Sequence, residues 1–168
     1  MSVFDKIKTN YSVAVNELTV SEYLDLCKKE PICYAKPAER ILEAIGKPEI
    51  IDTKVEPKLS RIFSNKTIKV YPAFKEFYGM ENTIEQIVAY FRHSAQGLEE
   101  KTQILYLMGP VGGGKSSLAE KLKDLIQKMP IYVLKANEQL SPVYESPLGL
   151  FADYRNEMEE EYNIPSRY

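Results

Sequence analysis

A chain of 168 residues with a formal net charge of −2 at pH 7 is long enough for one domain with a real core and a small appendage. Its 44% hydrophobic and 27% charged content is that of a soluble globular protein, and the lack of a basic excess excludes a nucleic-acid surface as its main business. No apolar stretch approaches bilayer length, Met1 to Lys6 hold no signal-peptide core, and Cys27 and Cys33 are spaced for neither zinc nor redox work. The expectation is a cytoplasmic chain with reduced thiols, and with no nucleic acid and no membrane among its partners.

The first third reads as helical. Thr19-Val20-Ser21-Glu22 is a capping box, in which the Thr19 oxygen and the Glu22 carboxylate each satisfy an orphan N–H. The helix it opens carries Tyr23, Leu24 and Cys27 and stops before Pro31. A second helix, about Pro37 to Ile45, puts Ile41, Leu42 and Ile45 on one side and ends at Gly46. Between about Lys47 and Val70 the pattern is mixed, with a short helical turn at Leu59–Phe63 and an extended piece at Thr67–Val70.

From Glu81, Ile84, Ile87, Val88, Phe91, Ala95 and Leu98 recur at helical intervals, with Gly97 near the end. A charged link, Glu99-Glu100-Lys101, leads to Ile104–Met108, an apolar run suited to a buried strand. A helix then runs from about Ser117 to Lys128 and stops at Pro130, and Ile131–Leu134 reads as a second apolar strand. Strand, loop, helix, strand is the start of a parallel α/β sheet. Beyond Lys135 regularity fades into loop chemistry at Ser141–Gly149, followed by a charged helix from about Asp153 to Tyr162.

The loop between the first strand and its helix carries the most information. Gly109-Pro110-Val111-Gly112-Gly113-Gly114-Lys115-Ser116 matches the phosphate-binding pattern G-x-x-x-x-G-K-[ST] at every defined position. Glycines let the backbone curl so that its N–H groups point inward at phosphate oxygens, and the following helix adds the positive end of its dipole. Lys115 reaches the β- and γ-phosphates as a point charge, the Ser116 hydroxyl joins the magnesium shell, and Ser117 completes the nucleotide-binding set. A ligand-free glycine turn is the bland alternative, and three consecutive glycines followed by Lys-Ser argue against it. Nucleoside triphosphate binding is the expected function.

Other signals weigh less. On physics alone, Tyr78-Gly79-Met80 is a plain loop whose Tyr78 and Met80 pack, although Gly79 would also let backbone approach a flat base. His93 lies half a turn from the apolar stripe and should face solvent. Asp153, Glu157, Glu159, Glu160 and Glu161 form the wet face of a terminal helix. Leu150-Phe151-Ala152-Asp153 imitates the second acidic motif of such NTPases, but Pro147 and Gly149 spoil the strand it requires. Nothing in the spacing of Arg61, Arg92, Arg155 and Arg167 selects one as an arginine finger, and the twelve tyrosines form no stacking platform.

Taken as a whole, the chain resembles the N-terminal part of the PrkA-type bacterial serine protein kinases, which carry an AAA+ ATPase module. The resemblance is carried by Ala38–Gly46, Leu59–Asn65, Tyr71–Phe74, Phe77–Glu81, Glu85–Val88, Ala95–Lys101, Gln103–Leu107 and Gly109–Ala119. Ser141–Val143 and Tyr162–Pro165 complete it. It implies ATP with Mg2+, phosphorylation of serine in protein substrates with Lys115 as a catalytic residue, and assembly into homo-oligomeric rings. It also implies that Tyr78, Gly79 and Met80 approach the adenine.

The expected organisation is a helical N-terminal region at 1–70, the beginning of a P-loop AAA+ ATP-binding domain at 71–151, and a charged helical tail at 152–168. Members of the resembled family are several times longer, and the chain stops before the second acidic strand, the sensors and the arginine finger. The expected fold is therefore a truncated P-loop parallel sheet that binds nucleotide without completing catalysis. Competing readings are an ATP-hydrolysing remodeller or protease-like machine, a small-molecule kinase, and an adaptor with a degenerate loop. The small-molecule kinase fits poorly because such enzymes begin with the loop, and the intact Lys-Ser pair argues against degeneracy.

Overall fold

Thr19 caps the first helix as its spacing predicts. In the computed structural model, which describes residues 17–55, 57–63, 66–137 and 139–168, helix α1 spans Val20–Lys29. Thr19 Oγ1 accepts from the Glu22 N–H at 3.3 Å, and Glu22 Oε2 accepts from the Thr19 N–H at 2.8 Å. Two orphan donors are thereby satisfied reciprocally. The readings made on Met1 to Lys6 and on Ser64-Asn65 lie outside the described residues. The described residues divide into two compact units, Ile32–Tyr132 with Tyr168, and residues 17–31 with Val133–Arg167.

In the first of these units, α2 (Pro37–Ile45) begins on a proline whose missing N–H is an orphan position anyway. It ends at Gly46, whose φ of +77° suits a residue without a side chain. The region from 47 to 70 is more ordered than its mixed sequence predicts. Strand β1 (Glu49–Asp52) pairs antiparallel with β2 (Thr67–Val70), Glu49 opposite Val70 and Asp52 opposite Thr67. Helix α3 (Pro57–Phe63) lies between them in sequence. Thr53 closes the ribbon, its hydroxyl donating to the Lys66 carbonyl at 2.7 Å and accepting from the Lys66 N–H at 2.9 Å. A short 3₁₀ turn at Pro72–Phe74 leads into α4 (Glu81–Ala95), and α5 spans Lys115–Gln127.

One apolar core joins these pieces. Ile41 and Ile45 of α2, Tyr71 and Phe74 of the turn, Ile84, Ile87 and Val88 of α4, and Leu118 and Leu125 of α5 are buried together. The expected stripe of α4 is thus the buried one, but the helix ends at Ala95, ahead of Gly97 and Leu98. Arg40, on α2, is buried as well. Its guanidinium donates to the carbonyl of Met129 at 3.1 Å and to that of Pro130, just past the end of α5. A cation there complements the negative end of the helix dipole.

The expected parallel sheet is not found among the described residues, whose sheets are two antiparallel ribbons. Ile104–Met108 instead alternates: Leu105 and Leu107 pack on the core, whereas Ile104, Tyr106 and Met108 are 90%, 78% and 82% exposed. Period-two alternation is strand-like, but a parallel strand needs a hydrogen-bonded neighbour and cover on both faces. Ile131–Leu134 likewise forms no strand, and Ile131 is exposed.

In the other unit, β3 (Lys135–Ala136) and β4 (Gln139–Leu140) form a minimal ribbon. Leu150 and Phe151 fall in a 3₁₀ turn, Pro147–Phe151, in keeping with the effect expected of Pro147 and Gly149. Helix α6 (Arg155–Tyr162) ends at Asn163 in a left-handed conformation and packs against α1, where Lys28 Nζ donates to the Glu161 carbonyl at 3.0 Å.

Replacing Arg40 by alanine should remove two hydrogen bonds to the carbonyls just past α5 and empty the space its buried side chain fills. The expected loss is about 1–3 kcal/mol of stability, read by thermal or urea unfolding. Arg40→Lys should recover only part of it, because an ammonium lacks the planar fork. An Arg40→Ala midpoint equal to wild type would contradict this role.

Candidate functional site

The phosphate-type loop is shaped by its glycines. Residues Pro110 to Gly113 close a tight turn, with the Gly113 N–H donating to the Pro110 carbonyl at 3.2 Å. Gly112 and Gly114 take φ values of +79° and +75°, where a side chain is strained. Gly113 is constrained by space instead, since a Cβ there would stand 3.1 Å from the Pro110 carbonyl oxygen. Three consecutive glycines therefore answer two different demands.

Gly114 is also the cap of α5, its carbonyl accepting from the Leu118 N–H at 2.9 Å. Lys115, Ser116 and Ser117 make the first helical turn, whose N–H groups have no acceptor within the helix. Those amides and the helix dipole favour an anion at this end. The Lys115 ammonium folds back along the loop, donating to the carbonyls of Gly109 at 2.8 Å and Pro110 at 2.5 Å. Gly109, Val111, Gly112, Gly113, Ser116 and Ser117 are exposed, so the loop is open to a ligand.

Met80 comes to this loop. A Cβ on Gly114 would lie 3.2 Å from Met80 Sδ, and Met80 also packs on the core beside α4. The segment that delivers it is a chain of tight turns, Phe77 N–H to the Phe74 carbonyl at 2.9 Å and Met80 N–H to the Phe77 carbonyl at 3.4 Å. Gly79 supplies a φ of +79° within it, and Tyr78 points into solvent. Of the three residues proposed near the base, Met80 is the one in contact with the loop. An ion pair fixes the same segment to α5, with Lys121 Nζ 2.6 Å from Glu76 Oε1.

His93 is exposed, as expected, and its Nδ1 lies 2.8 Å from Glu100 Oε1. Arg155 donates from Nε to the Ala152 carbonyl at 3.1 Å. Among the described residues no group of three or more His, Cys, Asp or Glu is placed to hold a metal ion. Sequence reasoning missed Arg40, Glu76 and Lys121, which set the loop's helix in place. Arg40 sits beside the apolar Ile41 within a helix that buries one face, a detectable signal, whereas the Glu76–Lys121 pair is a long-range contact with none.

The comparisons with known proteins fall into one group. A family model described as the PrkA AAA domain matches residues 18–168. "Serine/threonine kinase YeaG" of Escherichia coli (strain K12) is 56% identical over 171 residues, covering 100% of this chain and 27% of that protein. The protein of the same name from Escherichia coli O157:H7 gives the same figures. "ATP-dependent protease PrkA" of Bacillus subtilis (strain 168) is 31% identical over 157 residues, covering 88% of this chain and 22% of the relative. The chain thus spans about a quarter of the length of the curated relatives it matches. No solved structure matches. Among the described residues no helix is long and apolar enough to cross a membrane.

The hydrogen bond from Lys121 holds the Glu76 carboxyl below the usual glutamate range. A carboxyl with a lowered pKa in the folded chain contributes stability above its unfolded pKa and loses it as pH falls through the folded value. Carboxyl NMR should show Glu76 titrating below ordinary glutamates, and Lys121→Met should raise it toward their range. A wild-type Glu76 that titrates with the others would remove the tie.

Proposed function

The chain belongs to the PrkA AAA domain family, and on that premise we propose that it is the ATP-binding portion of a serine protein kinase. Residues Gly109, Pro110, Val111, Gly112, Gly113, Gly114, Lys115, Ser116 and Ser117 hold the polyphosphate, Tyr78, Gly79 and Met80 lie toward the adenine, and Ser116 ligates Mg2+. In the longer polypeptide the ATP γ-phosphate passes to a serine of a protein substrate. ATP, a protein substrate and further copies of the chain are then its partners. One observation carries the reading: Lys115 and Ser116 occupy the first turn of α5, directly behind a turn that holds Gly112 and Gly114 at positive φ and leaves little room for a side chain at 113.

The chemistry follows from that placement. Phosphoryl transfer asks a protein for positioning and charge stabilisation more than for covalent steps. The loop amides and the Lys115 ammonium place fixed positive charge where negative charge accumulates, without reorganising during the reaction. Mg2+ held by Ser116 would supply charge neutralisation for the phosphates. Glycine at 112–114 brings backbone donors close to the ligand, which side chains would prevent.

A second reading has a specific support, since one relative bears the name of an ATP-dependent protease. The same loop would then drive hydrolysis coupled to work on a protein. Both readings share the binding step and part at the fate of the γ-phosphate.

Calorimetry with ATP and Mg2+ should show binding that Lys115→Ala weakens by about 10- to 150-fold, the worth of a charge-assisted hydrogen bond at about 1.5–3 kcal/mol. Unchanged affinity in Lys115→Ala would sink the binding proposal. With the longer polypeptide, γ-labelled ATP and a protein substrate, label on serine supports the kinase. Free phosphate with substrate cleavage supports the protease.

A further inference from the structure

Strand β1 is the outer strand of its ribbon. It makes its main contacts with β2, whereas β2 also packs on α4. Antiparallel pairs alternate between bonded and non-bonded kinds. The Thr53 N–H donates to the Lys66 carbonyl at 3.1 Å, so Thr53 and, two residues back, Ile51 turn their main-chain groups toward β2. Those of Ile50 and Asp52 therefore turn to the open side. The Asp52 carbonyl accepts from the Val55 N–H at 3.1 Å. Among the described residues the Ile50 N–H, the Ile50 carbonyl and the Asp52 N–H have no partner. Open main-chain groups along an edge are the template on which another strand pairs.

The side chains say which strand fits. Ile50 is 72% exposed, and Glu49 and Asp52 on either side of the Ile50-Ile51 pair are exposed as well. Neither carboxylate is in an ion pair among the described residues, and Asp52 Oδ1 accepts from the Lys54 N–H at 3.0 Å. The cation of β2, Lys69, is taken up by Glu85 at 2.5 Å. The edge thus reads acid, apolar, apolar, acid. A second copy is a poor occupant, because in-register pairing of two β1 strands sets acid against acid in either direction.

We propose that the open edge of β1 docks an extended peptide of a protein partner, basic–apolar–apolar–basic in sequence, as a third strand of the ribbon. The pattern is the same read forwards or backwards, so it fits parallel or antiparallel addition. Main-chain bonds to Ile50 and Asp52 supply affinity, and the two carboxylates supply selection. Apolar contact is available on both faces of the edge. Ile50 offers it on one, and on the other Ile51 lines a recess of about 280 Å³ together with Ile62 and Val70. The inference needs no nucleotide and stands apart from the loop reading.

The test is amide NMR on the isotope-labelled chain, without nucleotide, titrated with acetyl-Gly-Lys-Val-Val-Lys-Gly-amide. The Ile50 and Asp52 amides should shift most and should saturate, and the same peptide with glutamate for both lysines should move neither. N-methylation of both valines removes their donors and keeps the charges, and it should weaken binding about threefold or more. Glu49→Gln combined with Asp52→Asn, which keeps an acceptor for Lys54, should weaken it about two- to thirtyfold with an unchanged melting temperature. The inference is overturned if residues 49–52 do not respond, if the acidic peptide binds equally, or if the N-methylated peptide binds as tightly. Concentration-dependent shifts of the same amides without peptide would put a second copy on the edge and overturn it too.

Discussion

A buried arginine and a glycine turn hold opposite ends of one helix. At the far end of α5, Arg40 donates to the carbonyls of Met129 and Pro130. At the near end, Gly114 caps the helix, and Leu118 and Leu125 seat it in the core between them. Both ends complement the helix dipole, positive charge at the carbonyl terminus and space for an anion at the amide terminus. The loop's geometry depends on this seating, because the first-turn amides can converge only if the helix axis is fixed. Lys121 and Glu76 add a lateral tie that brings the segment before α4 to the same place.

The loop thus sits on a firm base with a more open approach. Behind it, α2, α4 and α5 share one core with Tyr71 and Phe74. In front of it, Ile104–Met108 packs through Leu105 and Leu107 while its other side chains face outward. The helices carry the loop by side-chain packing, whereas the two described ribbons lie elsewhere in the chain. The seat of the loop therefore rests on helix burial.

Much of this was legible in the sequence, and for identifiable reasons. Thr19 and Glu22 announce α1 because a capping box is local, and Pro37 with Gly46 brackets α2 for the same reason. Ile84, Ile87 and Val88 were readable as a buried face because helical periodicity records which side packs. The glycines of the loop were readable because positive φ and close approach leave few alternatives. What escaped the sequence is long-range. The pairing of Glu49–Asp52 with Thr67–Val70 spans a helix and carries no turn signal. Ile104–Met108 and Ile131–Leu134 have the composition of buried strands, but composition does not specify a partner. Glu81 looks like an ordinary acidic residue at a helix start, yet the fold buries it.

The central claim is that the amides from Gly112 to Ser116, with the Lys115 ammonium, enclose the polyphosphate of ATP. Amide NMR on the isotope-labelled chain tests it most directly. On addition of ATP and Mg2+ the largest shifts should fall on Gly112, Gly113, Gly114, Lys115 and Ser116, and inorganic tripolyphosphate should reproduce them. Shifts confined to other regions, or none at all, would contradict the assignment.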